Sequence, residues 1–561
     1  WSRQKDRTAA DPFGLSFSHY KAALHDSDLV EVDVLLRSLP LELGFAPQAW
    51  CNITDIEILK KANVYHVDQM RLIQLMDAEF NMNYKFIGKQ MMLQAEVSGE
   101  IPEDQYGSRK HRRSIMAALN KRLTMDIWRQ KRQSGAIAMI DAQGCFDRIA
   151  HPVGSLTMQR FGVPRNTVRC LYQVLQKAGH RIATGYGVSE QKYGGPHQIP
   201  PVQGEGQGSG KAPSTWVLVS SIIIRMMYRA GYGVNMLMAL SASAISFVCF
   251  VFVDDTDIVH TGPAVDTPGL QILSEFQQAL DCWEGGLRAS GGALVPEKSF
   301  WYLIDWTWNG KSWCYRTVDD MPGELSIRTT NGRYRQSIRR FDPPHAEMTL
   351  GVFLSMDGNE TAQIQHLKDV ASNFSDRLRS HRALKNDAWY ALERSFFKTI
   401  EYPMPVTTLS LQTWSDIIRP VVNTLLPKAG FSAKFPRAVL FGPKSYQGVG
   451  LPHPWYMQEI THIATLLSEL ANGTQTGKLL QATLEQLYLE IGMPGPLGSI
   501  NYKKYQHLAT LSWIKTVWAS LERFRLQLYL NVPIIPSFAG TIPTLFRPLR
   551  LPDTQVRTLL P

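Results

Sequence analysis

Cysteine is scarce in this chain and forms neither a metal-binding nor a disulfide pattern. The sequence has six cysteines among 561 residues, and no two of them form a CxxC pair. Scattered cysteines of this kind favour a reducing compartment and predict neither a zinc site nor a disulfide framework. We therefore expect an intracellular protein, with no preference between nucleus and cytoplasm.

Long apolar stretches are also nearly absent. One segment, residues 230–253, carries no charged side chain and is long enough to span a bilayer. It contains Gly231, Gly233 and Asn235 near its start and runs directly into two aspartates. These features favour a buried helix followed by a buried strand, and we expect no membrane partner.

Acidic residues are outnumbered by basic ones. The chain has 49 Asp and Glu against 59 Lys and Arg, for a formal net charge of +10. This excess favours an anionic partner, although only weakly. Apolar residues make up 44% of the chain, enough for a packed core, and its length predicts two to four structural units. The chain starts at Trp1 rather than Met, which predicts a native start further upstream.

Three aspartates are distinguished by their position relative to apolar runs. Asp254 and Asp255 lie where the apolar run 246–253 stops and a second one begins, a pattern typical of a tight hairpin. Far upstream, a short apolar strand at 136–140 ends at Asp141. A carboxylate beside such a hairpin could help to hold two Mg²⁺ ions, which stabilise the oxygens of an in-line phosphoryl displacement. The pattern indicates nucleotidyl transfer; the alternative for the Asp pair is a plain turn.

The rest of the chain is predicted to be mainly helical. Helices are expected at 17–23, 29–39, 53–61, 114–130, 163–178, 216–229, 270–290 and 366–399. Residues 68–130 are predicted to form a basic, helical block that opens with 71–75. Strands are expected at 182–184, 300–305 and 313–317. The tail from Val532 onward is Pro-rich and predicted to be extended.

Seven short motifs follow one another in a fixed order. They are Arg71-Leu72-Ile73, Gln105-Tyr106-Gly107-Ser108-Arg109, Asp141 to Phe146, Gly206-Gln207-Gly208 with Pro213, Phe252-Val253-Asp254-Asp255, Gly291-Gly292 with Lys298, and Leu350-Gly351-Val352. In this order they resemble the motifs of a reverse transcriptase, of the type found in non-LTR (LINE-like) retroelements and group II introns. Three positions depart from the family pattern: Leu72 replaces Pro, Ala212 replaces Ser, and Lys211 is unusual.

The resemblance implies a right-hand polymerase of the α+β class, with fingers, a palm built on an antiparallel sheet, and a helical thumb. It divides the chain into an N-terminal helical extension (1–67), fingers (68–135), palm (136–359, with a finger insertion around 150–205), thumb (360–430) and a mainly helical C-terminal extension with a Pro-rich tail (431–561). In the thumb, a polar helix with exposed cations is expected to track the duplex or to be simply solvated.

The resemblance also assigns the catalytic residues. Asp141 and Asp254 are expected to bind both of two Mg²⁺ ions, with Mn²⁺ as an alternative, and Asp255 to support or join them. The carbonyl of Ala142 would complete one coordination shell, since Mg²⁺ takes six oxygens in an octahedron. Lys298 is the candidate general acid for pyrophosphate; its alternative is a surface lysine.

Four residues are assigned to the incoming nucleotide. Arg71 is expected to contact the triphosphate, and Gln207 and Gly208 to lie beside the templating base. Phe146 holds the position of an aromatic gate against the sugar 2′-hydroxyl; its alternative is a core aromatic. Asp147, one residue further on, is expected on the opposite face of a strand.

Basic residues in the finger motif are assigned to the template. Arg109, Lys110, Arg112 and Arg113 would provide positive charge for its backbone, or form a solvated basic face. Four tryptophans are instead expected in the core or facing the thumb: Trp283, Trp301, Trp306 and Trp308.

The function implied is that of an RNA-directed DNA polymerase of a retroelement. Its partners would be an RNA template, a DNA or RNA primer, and dNTPs. One alternative is an inactive descendant that only binds nucleic acid, against which all three aspartates speak. The other is an RNA-dependent RNA polymerase, against which Phe146 speaks, as does Val253 at a position where Gly would be typical.

Overall fold

The computed structural model describes residues 1–2, 5, 14–60, 63–66, 70–197, 202–493 and 495–528. The predicted Pro-rich tail lies outside these ranges. Within them, no helix has the length and apolar character that a bilayer crossing requires. Helices and strands are mixed throughout, so the fold class is α+β, as predicted.

The N-terminal part contains strands where helices were expected. Its elements are α1 (Phe17–Ala23), α2 (Ser27–Leu43), β1 (Asn52–Leu59), β2 (Met70–Leu75) and α3 (Ala78–Val97). The helical predictions for 53–61 and 71–75 are wrong, because β1 and β2 pair antiparallel with Ile56 opposite Ile73. β-Branched side chains such as these pack well on a pleated surface, and this outweighed the apparent helical spacing.

The next part brings the chain back to β1. It contains α4 (Ser114–Lys131), β3 (Gly135–Asp141), α5 (Cys145–Arg148), α6 (His151–Arg160), α7 (Arg165–Lys177), β4 (Gly179–Thr184), β5 (Gly187–Val188), β6 (Tyr193–Gly194) and α8 (Ala212–Arg229). β4 pairs parallel with β1, which gives an N-terminal sheet in the order β2-β1-β4-β5, with β6 also on β4. Helix α7 and the strand at 182–184 confirm two predictions.

The remaining strands of the described residues lie between residues 234 and 355. They are β7 (Val234–Leu237), β8 (Ala244–Phe247), β9 (Cys249–Phe252), β10 (Asp255–His260), then α9 (Gly269–Ala289), β11 (Phe300–Ile304), β12 (Trp306–Trp308), β13 (Trp313–Tyr315), β14 (Ser326–Arg328), β15 (Arg335–Ser337), β16 (Arg339–Phe341), β17 (Ala346–Thr349) and β18 (Val352–Ser355). The uncharged stretch 230–253 therefore forms a β7–β8 hairpin and β9, and the predicted helix within it is wrong.

The central sheet has the order β16-β11-β3-β10-β9 and is antiparallel except for the β11–β16 pair. Its two faces follow the alternation of side chains along β3. Ala138 and Ile140 belong to the cluster formed with α8 and α9, whereas Ile137 and Met139 pack with the residues of α4. Helices thus cover both faces of the sheet, and side chains at odd-numbered positions of β3 point to the α4 side.

The C-terminal part is helical, as predicted. It contains α10 (Thr361–Ser380), α11 (Lys385–Ala391), α12 (Phe397–Glu401), α13 (Leu411–Lys428), α14 (Arg437–Phe441), α15 (Pro454–Asn472), α16 (Gln475–Ile491), α17 (Tyr502–Tyr505) and α18 (Trp513–Phe524). The long helix predicted at 366–399 is interrupted after Ser380. Side chains of α16 and α18 share one core with α4, so these helices are an integral part of the central unit.

Candidate active site

The first and last of the three aspartates face each other across two strands of the central sheet. Asp255 begins β10 and is directly opposite Asp141, the last residue of β3. Residues paired in this way direct their side chains to the same face, with Cβ atoms about 4.5–5.5 Å apart. Asp254 occupies the turn between β9 and β10, next to Asp255. The predicted hairpin and its neighbouring strand are therefore confirmed, and all three aspartates lie at one edge of the sheet.

The turn that carries Asp254 has an unusual backbone. Val253 has φ of 61°, a left-handed conformation that is rare for a β-branched residue. Its carbonyl accepts a hydrogen bond from the indole of Trp216 on α8. Strained conformations of this kind persist only where surrounding structure holds them, and they cluster at functional sites.

The finger motif, residues 105–109, also contacts this hairpin. Tyr106 N donates to Val251 O at 2.8 Å, and Val251 N donates to Asp104 O at 3.0 Å. Gly107 approaches the turn so closely that a Cβ there would overlap the backbone nitrogen of Val253. Gln105 joins the segment to α8 by donating to Ser220 Oγ at 2.8 Å. The Gln-x-Gly part of the motif thus fixes the hairpin in place.

Negative charge is concentrated along β10. Burial, and then the charges of Asp254 and Asp257, raise the pKa of Asp255 to about 6. Asp257 lies on the same face as Asp255, and burial raises its pKa as well. The opposing influence is Lys121 of α4, which forms an ion pair with Asp257. A cation at this edge would relieve the remaining repulsion between the carboxylates of Asp141, Asp254 and Asp255.

Lys298 places an ammonium group at this edge. Its Nζ lies 3.2 Å from Asp141 Oδ2, although the side chain is largely exposed. Lys298 ends a short turn before β11, and Ser299 Oγ accepts the amide hydrogen of Asp141 at 3.2 Å. The segment after α9 therefore brings Lys298 to the carboxylates, which the isolated sequence motif could only suggest.

The donor chemistry at this edge suits a hard divalent cation. Carboxylate oxygens come from Asp141, Asp254 and Asp255, and the backbone of Ala142 follows directly. Gln143 N donates to Ala293 O, and Val295 N donates to Asp141 O. These two hydrogen bonds flank Ala142 and leave its backbone N–H and C=O outside the pairing with segment 293–295. Among the described residues, no three His, Cys, Asp or Glu side chains form a ready-made metal cluster. The donors thus fit the ion by their chemistry and charge.

Phe146 lies on α5, five residues beyond the aspartate that ends β3. Its ring is half-buried against the core that includes α8 and α9. The expectation that Asp147 points to the opposite face of a strand is wrong, because residues 145–148 are helical. Asp147 Oδ2 instead accepts a hydrogen bond from Gln207 Nε2 at 3.0 Å.

The glycine loop, residues 204–211, lies between α5 and the N-terminal sheet. Glu205 N donates to Phe146 O at 2.8 Å, and Gln74 N on β2 donates to Gln207 O at 2.6 Å. Gly208 is exposed, and its carbonyl accepts from Asn81 Nδ2 at 3.1 Å. The structure therefore places the loop that carries Gln207 and Gly208 against α5, which carries Phe146, beyond the end of β3 where its aspartate lies.

Arg71 is on β2, opposite Ile58, and is exposed. Within the described part of the chain it forms no ion pair, so its guanidinium remains accessible. The glycine loop is attached to the same strand through residue 74. Arg71 thus lies on the strand to which the loop carrying Gln207 and Gly208 is hydrogen-bonded.

The four template candidates separate into two groups. Arg109 is buried, with Nε and Nη2 on Glu96 at 2.7 and 2.8 Å and Nη1 on the carbonyls of 102 and 105. Its donors are engaged inside the protein, so the assignment to the template is corrected to a structural role. Arg112 is half-buried and pairs with Glu103 at 2.5 Å, whereas Lys110 and Arg113 are exposed.

Sequence reasoning missed Trp216 and Lys121, whose partners lie far away in the chain. Trp283 and Trp301 are buried, as expected. Trp308 is 53% exposed, which excludes the core for this residue, and the alternative that it faces the thumb stays a prediction. It is the last residue of β12, at the turn of the β12–β13 hairpin. Its ring makes an edge-to-face contact with the ring of Trp313, which is also exposed.

Comparison with known proteins agrees with this geometry. Residues 58–334 match the model of the family described as reverse transcriptase (RNA-dependent DNA polymerase). This part of the chain contains most of the two five-stranded sheets and all three aspartates, and it has the fold of a reverse transcriptase domain.

One solved structure that is similar is telomerase from Candida albicans in complex with a TWJ fragment of telomeric RNA. The identity is 11%, the match covers 81% of this chain and 68% of that chain, and the TM-score is 0.32. None of the curated proteins matches the chain.

Proposed function

We propose that this protein is an RNA-directed DNA polymerase of a retroelement, of the non-LTR or group II intron type. The observation that carries the proposal is the direct pairing of Asp141 with Asp255, with Asp254 at the adjoining turn. Carboxylates brought together from two strands are a charge arrangement suited to phosphoryl transfer. The family match over residues 58–334 supports the same reaction class.

The reaction would extend a DNA or RNA primer along an RNA template. The primer 3′-hydroxyl attacks the α-phosphorus of a dNTP, forming a new O–P bond. The bond from the α-phosphorus to the bridging oxygen breaks, and pyrophosphate leaves. The hydroxyl proton would pass to water, and the ammonium of Lys298 would protonate the leaving group, a role supported by its distance of 3.2 Å from Asp141 Oδ2.

Asp141, Asp254, Asp255 and the carbonyl of Ala142 would hold two Mg²⁺ ions, or Mn²⁺ in their place. Such ions supply charge stabilisation for the attacking and leaving oxygens. The residues themselves orient the site, because the left-handed turn at Val253 fixes where Asp254 points.

Nucleotide selection would fall to residues around the glycine loop. Arg71 is exposed and would bind the triphosphate, and Gln207 and Gly208 would lie beside the new base pair. The ring of Phe146 would exclude a 2′-hydroxyl and so favour dNTPs. Lys110 and Arg113, both exposed, would contact the template backbone.

Primer extension on an RNA template tests this function, with dNTPs and rNTPs supplied in parallel. Asp254→Asn should abolish incorporation while leaving template affinity nearly unchanged. The matched control is Asp266→Asn, because Asp266 is exposed and lies outside the aspartate cluster. Full activity of Asp254→Asn would refute the site, and incorporation of rNTPs instead of dNTPs would favour an RNA polymerase. Template binding without extension by the wild type would favour an inactive descendant.

A further inference from the structure

A buried ion pair closes the base of the glycine loop. Lys211 Nζ lies 2.8 Å from Glu205, and both side chains are completely buried. Tyr172 donates its hydroxyl to Glu205 Oε1 at 2.6 Å. The ammonium lies 4.9 Å from the ring centroids of Tyr84 and Tyr172. The pair thus joins the two ends of the loop inside an aromatic cage.

Such a pair is poorly explained by stability alone. Two charges lose their hydration when they are buried, and apolar replacements of similar size are often neutral or stabilising. The best attested role of buried ionic groups is to fix one arrangement of the chain.

The loop that the pair closes touches the candidate sugar gate directly. Glu205 N donates to Phe146 O at 2.8 Å, and Gln207 Nε2 donates to Asp147 Oδ2 at 3.0 Å. A Cβ at Gly204 would overlap the backbone of Asp147, so the loop and α5 are in main-chain contact. Any displacement of the loop would therefore move α5 with it.

Further hydrogen bonds hold the loop to α3 and α6. Asn81 donates to Gly208 O at 3.1 Å and accepts from Gly210 N at 2.7 Å. His151 Nε2 lies 2.9 Å from Gly204 O. The ion pair joins Glu205, whose amide contacts α5, to Lys211, the residue directly before α8.

We propose that the Glu205–Lys211 ion pair is a positioning device that sets the distance between Phe146 and Gln207 and thereby determines sugar selectivity. This inference rests on the proposed polymerase function. Neither Glu205 nor Lys211 would touch the nucleotide, because both are buried. They act through the backbone of the loop, and the loop acts through its hydrogen bond to residue 146.

The test uses the full chain and single-nucleotide incorporation on an RNA template. The double variant Glu205→Gln/Lys211→Met removes both charges and avoids leaving one of them buried alone. Misplacement of a substrate group by about 1 Å can cost about 100-fold in rate. We therefore expect selectivity for dNTP over rNTP to fall by about tenfold to 100-fold, with KM for dNTP raised more than kcat is lowered.

A milder variant keeps the test valid if the double variant does not fold. Tyr172→Phe removes only the hydroxyl that binds Glu205 and keeps the ring beside Lys211, so a smaller loss of selectivity in the same direction is expected. Arg122→Met is the control, because it breaks a buried ion pair with Asp126 that does not contact the loop. It should lower thermal stability without changing selectivity.

The outcomes distinguish a positioning role of the Glu205–Lys211 ion pair from a purely structural role. Reduced selectivity in the double variant or Tyr172→Phe, but not in Arg122→Met, supports the positioning role. Unchanged selectivity and KM in folded Glu205→Gln/Lys211→Met or, failing that, in Tyr172→Phe overturns it, as does an equal loss in the control. A wild-type protein that extends no primer would overturn the proposed function itself, which is a distinguishable result.

Discussion

Lys121 and Asp257 form an ion pair that is buried next to the candidate catalytic carboxylates. Asp257 is two residues beyond Asp255 on β10, and the side chains of the pair are 0% and 4% exposed. Lys121 also donates to Thr349, the last residue of β17 before its turn. One ammonium therefore links α4, the central sheet and the β17–β18 hairpin.

The first prediction concerns this pair. Lys121→Met leaves the carboxylate of Asp257 buried without a partner, so the free energy of unfolding should fall by about 3–5 kcal/mol. Lys121→Met/Asp257→Asn should recover much of that loss, because no charge remains to be buried. Urea denaturation of both variants measures the difference, and equal losses in the two would contradict the ion-pair account.

The second prediction concerns the close approach of Gly107 to Val253. Gly107→Ala introduces a methyl group that overlaps the Val253 nitrogen, so the hairpin must shift. Primer extension should fall by about 100-fold, the scale associated with a displacement of about 1 Å. Gly185→Ala is the matched control, because nothing lies within 4 Å of its added Cβ. A fully active Gly107→Ala protein would show that this contact does not position the turn.

The third prediction separates the arginines of the finger motif. Arg109→Met should lower the free energy of unfolding by roughly 2 kcal/mol, the scale of lost hydrogen bonds to a charged group. Arg113→Ala should leave stability unchanged, because Arg113 is exposed. It should instead reduce the slope of log affinity against log salt by about 0.7–0.9, as expected for one phosphate contact. Nucleic-acid titrations at several salt concentrations, together with urea denaturation, distinguish the two roles.

The fourth prediction is a pH dependence of stability. Burial lowers the pKa of His462 to about 4, and its Nε2 donates to Met404 O at 2.9 Å. Between the ordinary pKa and this lowered pKa, the unfolded chain binds a proton that the folded chain does not. His462 should therefore cost stability as pH falls from about 6.5 to about 4, by on the order of 3 kcal/mol in total.

His462→Gln tests this dependence, since glutamine has a similar shape and does not titrate. The difference in unfolding free energy between wild type and variant should change in favour of the variant as pH is lowered from 7 to 4.5. His381→Gln is the control, because His381 is exposed. A difference that stays constant with pH would contradict the assignment.

The sequence predicted the local parts of this site well. The strand ending at Asp141 and the hairpin at Asp254 were readable because apolar runs stop at carboxylates. The turn at Leu350 and Gly351 also forms where its motif falls, with positive φ at both residues. Paired positive φ values are what a two-residue hairpin turn requires.

What the sequence did not predict depends on contacts between distant segments. β1 was taken for a helix because its strand partner lies beyond a loop and its pattern alone is ambiguous. The basic run at 109–113 looked uniform, yet Arg109 is buried because Glu96 on α3 reaches it. Similarly, no periodicity could indicate that residue 121 would meet residue 257.

Helix α4 is buried along its whole length from Ile115 to Gln130. Its polar side chains reach separate partners, and two of these lie 353 and 387 residues further along the chain: Gln130 binds the carbonyl of Thr483, and Asp126 accepts the amide hydrogen of Trp513. The ribosome makes α4 long before it makes α16 and α18. The core beside the candidate site can therefore complete its packing only after α16 and α18 have been made, and until then the nascent chain must keep this helix shielded from aggregation.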